Sequence, residues 1–157
     1  MAEELLLPEA GDREAIYQAI LPQIKSLVEG EPDQIANLAN VCAVLKEALG
    51  FLWIGFYLVK GEQLVLGPFQ GPLACTRIDL GKGVCGTAWQ TAAIQLVPDV
   101  EAFPGHIACS SLSKSEVVVP LLRQGEVVGV LDIDSDKLND FSEVDAEYLE
   151  QICQLLA

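Results

Sequence analysis

Apolar residues recur at helical spacing over 12–29, where Ile16, Ile20, Ile24 and Leu27 fall on one stripe, and this period predicts an amphipathic helix. Pro22 lies inside the stripe and is expected to kink or split the helix, because proline lacks the N–H and crowds the preceding turn. Gly30-Glu31-Pro32 breaks the pattern. A second helix is expected after Asp33, a residue type that caps free N–H groups. Its stripe is Ile35, Leu38, Ala39, Cys42, Leu45 and Leu49, and Gly50 ends it. From 52 onward the alternation shortens to that of strands. Strands are expected at 52–59, 63–69, 75–80, 94–97, 116–123 and 127–134, with turns at Lys60-Gly61-Glu62 and at Gly125. A glycine-led stretch, 81–92, reads as a loop opening into a short helix. Residues 98–113 carry no period, and loops of that length are often functional. Ser142 starts a last helix, with Asp145 placed for a capping box and Val144, Tyr148, Ile152 and Leu155 as its inner stripe. Neighbouring strands joined by short turns give an antiparallel sheet, and helices at both ends of the chain cover one face of it in an α+β layer.

Side-chain alternation in the last hairpin places a group of acids. With a three-residue loop, Gln124-Gly125-Glu126, one face carries Val117, Val119, Leu121, Val127, Leu131 and Ile133 and must be the core. The opposite face then pairs Glu116 with Asp134, Val118 with Asp132 and Pro120 with Val130. A two-residue loop would mix polar and apolar side chains on both faces. Like charges facing each other across strands are destabilising. The three carboxyls therefore suit either a solvated face or a site that binds an ammonium group or holds one acid protonated. On the first strand Ile54, Phe56 and Leu58 alternate with Trp53, Gly55 and Tyr57. Trp53 and Tyr57 thus point away from the core, either as a wall for a small ligand or as packing beneath a loop.

The chain has 157 residues, half of them hydrophobic, and fits a single domain over 1–157, with 1–11 as a flexible N-terminal segment. The acidic N-terminus lacks the basic start and apolar stretch of a signal peptide, and no run approaches the ~20 apolar residues of a membrane span. A cytoplasmic protein with no membrane contact is expected. The net charge is −14 and the nine basic residues are scattered, which leaves no basic stripe for nucleic acid.

Five cysteines, Cys42, Cys75, Cys85, Cys109 and Cys153, are an odd set for structural bridges. Cys42 and Cys153 fall in helical patterns and read as small buried hydrophobes. Cys75 sits at a strand start, Cys85 near a helix N-terminus and Cys109 in the long loop. A helix N-terminus favours a thiolate, so Cys85 would be ionised if exposed. His106 and Lys114 flank Cys109 in the chain and either would stabilise its thiolate if close. His106, Cys75, Cys85 and Cys109 would make four zinc ligands, but their spacings match no common zinc module, and neither metal nor cofactor is expected. Gly81-Lys-Gly-Val-Cys-Gly86 has the GxGxxG form without the alternating βαβ context of a dinucleotide site, so these glycines are read as shaping a turn near a ligand.

Trp53-Ile-Gly-Phe-Tyr57, Gly67-Pro-Phe-Gln-Gly71, Gly81-Lys-Gly-Val-Cys-Gly-Thr87, Val97-Pro-Asp-Val100, Phe103-Pro-Gly-His-Ile-Ala-Cys109, Ser115-Glu-Val-Val-Val-Pro120 and Gly129-Val-Leu-Asp-Ile-Asp-Ser135 resemble the GAF-domain free methionine-(R)-sulfoxide reductases over nearly the whole chain. The resemblance implies a six-stranded antiparallel sheet with N- and C-terminal helices on one face and a loop-covered pocket on the other. It implies a nucleophilic Cys109, a resolving Cys75 and an assisting Cys85. Glu116, Asp132 and Asp134 match the pocket carboxylates, with Glu116 or Asp134 as proton donor, and Trp53 and Tyr57 match the aromatics around the substrate methyl. Free methionine sulfoxide would be the substrate, thioredoxin the reductant and a homodimer the assembly. Ser110 stands where the family usually has aspartate after the nucleophile, and Leu52 where it usually has asparagine.

Three other readings use the same residues: a GAF sensor for a nucleotide or tetrapyrrole, a peroxide-reducing thiol switch, and an inactive interaction domain. Bilin-binding relatives typically carry Cys-His at the attachment site, whereas Cys109 is followed by Ser110.

Overall fold

The computed structural model describes residues 4–9, 11–106 and 110–156. Two helices, α1 (Arg13–Val28) and α2 (Gln34–Leu49), precede a hairpin, β1 (Trp53–Lys60) and β2 (Gln63–Gln70). A short strand β3 (Arg77–Asp79), helix α3 (Gly83–Thr91), strand β4 (Gln95–Val97) and a 3-10 turn (Val100–Ala102) follow. The chain closes with β5 (Ser115–Arg123), β6 (Glu126–Ser135) and helix α4 (Glu143–Leu156). The strands form one six-stranded sheet in the order β3-β2-β1-β6-β5-β4, every neighbouring pair antiparallel.

The helix ends follow local chemistry. Asp12 and Asp33 each accept a hydrogen bond from the N–H three residues on, at 2.9 Å, and Gly50 closes α2 in the left-handed region that glycine adopts without steric cost. Ser142 and Asp145 make the expected capping contacts, the Ser142 N–H donating to Asp145 Oδ2 at 2.8 Å and the Val144 N–H to Ser142 Oγ at 3.3 Å. Pro22 does not split α1, which runs unbroken from Arg13 to Val28. Tyr17, Ile20 and Ile24, all fully buried, hold the two halves of the helix against the core, and burial of that face outweighs one missing backbone hydrogen bond. The buried face of α2 is also rotated from the expected stripe. Val41 and Val44 are buried, while Ile35 is 53% exposed and Ala39 faces outward. In α4 the deepest residues are Ala146, Leu149, Ile152 and Cys153, with Val144, Tyr148 and Leu155 at the margin. Near the N-terminus, the Leu6 main chain exchanges two hydrogen bonds with the Gln23 side chain.

The sheet separates two apolar clusters. Helices α1, α2 and α4 cover Ile54, Phe56, Val117, Val119, Leu121, Leu131 and Ile133 on one face. On the other, Trp53, Tyr57, Val118 and Val130 pack with Val84, Cys85 and Ala88 of α3. Register between β5 and β6 is as alternation required: Glu116 opposite Asp134, Val118 opposite Asp132, Pro120 opposite Val130. The loop is shorter than expected, however. Gln124 and Gly125, both at positive φ, form a two-residue turn, and Leu122 pairs with Val127. A bulge between Leu121 and Leu122 takes up one residue of β6 and restores the register beyond it. Val128 therefore packs against the helical core and Val127 turns to the other face, the reverse of the simple alternation.

Candidate functional site

The face opposite the helices forms a cleft between the sheet, α3 and the long connection to β5. Trp53, Tyr57, Cys85, Glu116, Asp132 and Asp134 line it, together with His106, Ser110 and Ser113 from the connection. Residues from one end of β1, β5 and β6 meet here because those strands are adjacent. Trp53 pairs with Asp134 and Gly55 with Asp132 across β1 and β6, and Glu116 faces Asp134 across β5 and β6.

The aromatic wall is held from behind. Trp53 Nε1 donates to the Pro72 carbonyl at 3.0 Å and Tyr57 Oη to the Cys75 carbonyl at 2.8 Å. The Trp53 ring stacks on Tyr57 at 5.9 Å and on Phe69 at 5.3 Å between centroids. Gly55 makes the arrangement possible. A Cβ there would lie 2.5 Å from the Trp53 ring and 2.4 Å from the Phe69 Cβ. Phe69 was not singled out from the sequence, because its role depends on pairing of Gly55 with Phe69 across β1 and β2.

The three carboxyls share a place almost closed to water, with Glu116 6% and Asp132 5% exposed and Asp134 half-buried. Burial pushes all three up from the ordinary carboxylate range. The charge of Asp132 raises Glu116 and Asp134 further, to well above that range. Asp132 rises less, because burial is opposed by hydrogen bonding to Glu116 and Cys85 and by the charge of His106. Burial and mutual repulsion thus favour holding protons within the cluster. Among the described residues, Asp132 Oδ1 is buried without a hydrogen-bond partner, and Ser113 Oγ donates to Asp134 Oδ1 at 3.4 Å.

The cysteines divide sharply. Cys42 and Cys153 lie in the helical core, as expected of small hydrophobes. Cys85 occupies the first turn of α3 but is 4% exposed. Burial, followed by the charges of Asp132, Glu116 and Asp134, drives its thiol well above its usual value, so these outweigh the helix N-terminus and the ionised thiol expected of an exposed Cys85 is not formed. Cys75 precedes β3 in a loop rather than starting a strand, is partly buried, and is disulfide-bonded. Cys42, Cys85 and Cys153 are free thiols. Cys109 lies outside the described residues. Lys114, expected as a possible partner of Cys109, is exposed, and its main chain bonds to Ser135 and Val100.

The glycines of 81–86 shape a turn. The Gly81 N–H donates to the Gly86 carbonyl at 3.0 Å, and a Cβ on Gly86 would sit 2.6 Å from the Asp79 carbonyl oxygen. Lys82, at the start of α3, gives no side-chain cap and lines the cleft. The helix therefore presents its N-terminal end there, as the reading of these glycines as a turn near a ligand implies.

Residues 34–157 match the GAF domain family model. The chain is 63% identical to "GAF domain-containing protein A" of Dictyostelium discoideum, with 99% of each chain covered. It is 45% identical to the "Free methionine-R-sulfoxide reductase" of Escherichia coli over 87% of this chain and 83% of that one. Among solved structures, it superposes on the free methionine-R-sulfoxide reductase of Neisseria meningitidis in complex with its substrate with a TM-score of 0.94 and 55% identity, covering 98% of this chain and 93% of the other.

Proposed function

Since the chain belongs to the family of GAF-domain free methionine-R-sulfoxide reductases, we propose that it reduces free methionine (R)-sulfoxide to methionine, with Cys109 as nucleophile and Cys75 as resolving thiol. The observation that carries this reading is the meeting, in one cleft, of a buried carboxyl cluster with the Trp53–Tyr57 wall, Tyr57 being hydrogen-bonded to the disulfide-bonded Cys75.

Each part of the substrate finds a matching environment. Asp132, whose buried Oδ1 has no partner among the described residues, takes the ammonium. The carboxylate lies at the N-terminus of α3 beside Lys82. Trp53 and Tyr57 enclose the methyl end. A residue within a peptide has neither free terminus and fails at both polar contacts, which selects the free amino acid.

The chemistry follows in balanced steps. The Cys109 thiolate attacks the sulfoxide sulfur while Glu116 or Asp134 protonates its oxygen. The S–O bond breaks, the oxygen passes to the Cys109 sulfur as a sulfenic acid, and methionine departs reduced. The Cys75 thiol displaces that oxygen as water and a disulfide forms. Thioredoxin, a dithiol, then reduces the disulfide by exchange. The oxidised state of Cys75 supports its role as a resolving thiol. The assisting role implied for Cys85 requires that it first leave the carboxyl cluster, since it is shielded there.

The test uses free racemic methionine sulfoxide with dithiothreitol, methionine being measured by chromatography. One epimer disappears, to at most half of the total, N-acetylmethionine sulfoxide persists, and Cys109→Ser is inactive. With thioredoxin as reductant, Cys75→Ser completes about a single turnover. Consumption of both epimers, of the acetylated compound, or of neither epimer would refute the assignment.

A further inference from the structure

Cys85 is a cleft thiol to which the first disulfide assigns no step, and its surroundings suit a different ligand. Its Sγ and one oxygen each of Glu116 and Asp132 lie within 4.8 Å of one another, and all three residues are buried. We propose that Cys85, Glu116 and Asp132 form a binding site for a thiophilic divalent cation of the zinc class, which shuts the cleft to substrate.

Three arguments lead there. The first is geometric. A four-coordinate ion at about 2.0–2.3 Å from S, N and O ligands separates those ligands by about 3.3–3.8 Å. The present spread of up to 4.8 Å would contract on binding, and a water, or His106 from the same cleft wall, would complete the fourth position. The second is Asp132 Oδ1, a buried acceptor with no hydrogen-bond partner among the described residues. The third is donor softness. A thiolate between two carboxylates selects Zn2+ or Cd2+ over Mg2+ or Ca2+, which prefer oxygen alone. On binding, Cys85 gives up its thiol proton and the carboxyls release whatever protons they hold. No electrons move, and a dication replaces the repulsion of like charges with attraction.

This set differs from the four ligands the sequence brings to mind. Cys75 is disulfide-bonded, and two of the donors are carboxylates that only the β5–β6 pairing delivers. Competition between the ion and the substrate ammonium rests on the reductase reading, whereas the binding itself does not.

Cd2+ is the probe, added to the full chain with its disulfide intact. The ultraviolet thiolate-to-cadmium charge-transfer band is followed to saturation, and Zn2+ affinity is read by competition with a chromophoric chelator. The expected result is one ion per chain, a band lost in Cys85→Ser and kept in Cys42→Ser, and affinity at least about tenfold weaker in Asp132→Asn. Circular dichroism checks that each variant folds, and the near-isosteric Asp132→Asn carries the test if Cys85→Ser does not. No band at millimolar Cd2+, a band that survives in folded Cys85→Ser, or unaltered affinity in Asp132→Asn overturns the site. A protein that holds Cd2+ as described but reduces no sulfoxide would leave the metal site standing and reject the reductase reading.

Discussion

Substituting Gly55 by alanine probes how the aromatic wall is built. The added methyl would lie 2.5 Å from the Trp53 ring and 2.4 Å from the Phe69 Cβ, where real contacts are about 3.5–4.0 Å. Phe69 Cβ is part of β2, paired directly with Gly55, so the backbone resists and the Trp53 ring must yield. Overpacking of this kind costs about 1–3 kcal/mol. Moving the ring also loses the hydrogen bond from Trp53 Nε1 to the Pro72 carbonyl, worth about 1 kcal/mol net. The expected destabilisation is about 2–4 kcal/mol, or a fall in Tm of roughly 4–16 °C for a chain of this length. Thermal unfolding followed by circular dichroism gives the first number, and steady-state reduction of free methionine sulfoxide gives the second readout, a raised KM from the displaced wall. Gly61→Ala is the comparison. Its φ of +65° strains the alanine, but no atom lies within 4 Å of the new Cβ, so stability falls while KM stays. A Gly55→Ala protein with both the Tm and the KM of the parent would show that Trp53 is not wedged as described.

Two further outcomes follow from the carboxyl cluster. Asp132→Asn removes the charge offered to the substrate ammonium, and losing a charge-assisted hydrogen bond of about 1.5–3 kcal/mol raises KM about 10- to 150-fold. The same change removes a negative neighbour that holds Glu116 up, so the alkaline limb of the kcat profile moves to lower pH, and a limb that stays put contradicts the coupling. Stability without substrate also depends on pH. Glu116 and Asp134 have folded values above their unfolded ones, so their contribution is complete below the ordinary carboxylate range and is lost as pH rises through the folded values. Scanning calorimetry should show a Tm that declines from pH about 5 upward, less steeply in Glu116→Gln and less steeply with saturating free methionine. Parallel slopes for parent and variant would exclude Glu116 as a source.

Much of this site was legible in alternation. Side chains on a strand change face at every residue, so the apolar run of β5 could not be buried without turning Glu116 and Asp132 to the opposite side, and the same rule separated Trp53 and Tyr57 from Ile54 and Phe56. Although the turn is one residue shorter than expected, a bulge restores the register from Gly129 onward. Val127, beside the bulge, lies on the face opposite to the one that alternation predicts. Helical stripes were less exact. Ile35 and Val41 satisfy the same period on different faces, and what decided between them was the position of the sheet and of α1 and α4 around α2.

The sequence by itself determined the alternation, the caps at Asp33 and Ser142, and the left-handed turns at glycine, because each depends on atoms a few residues apart along one chain. Only the tertiary structure decided the state of the cysteines and acids. The ionisation of Cys85 is a contest between its helix N-terminus and the burial and carboxylates that surround it. The partners in that contest come from β5 and β6, more than thirty residues onward in the chain. Desolvation and Coulomb repulsion act through space, and no local pattern records which distant charges the fold will bring into the same dry volume.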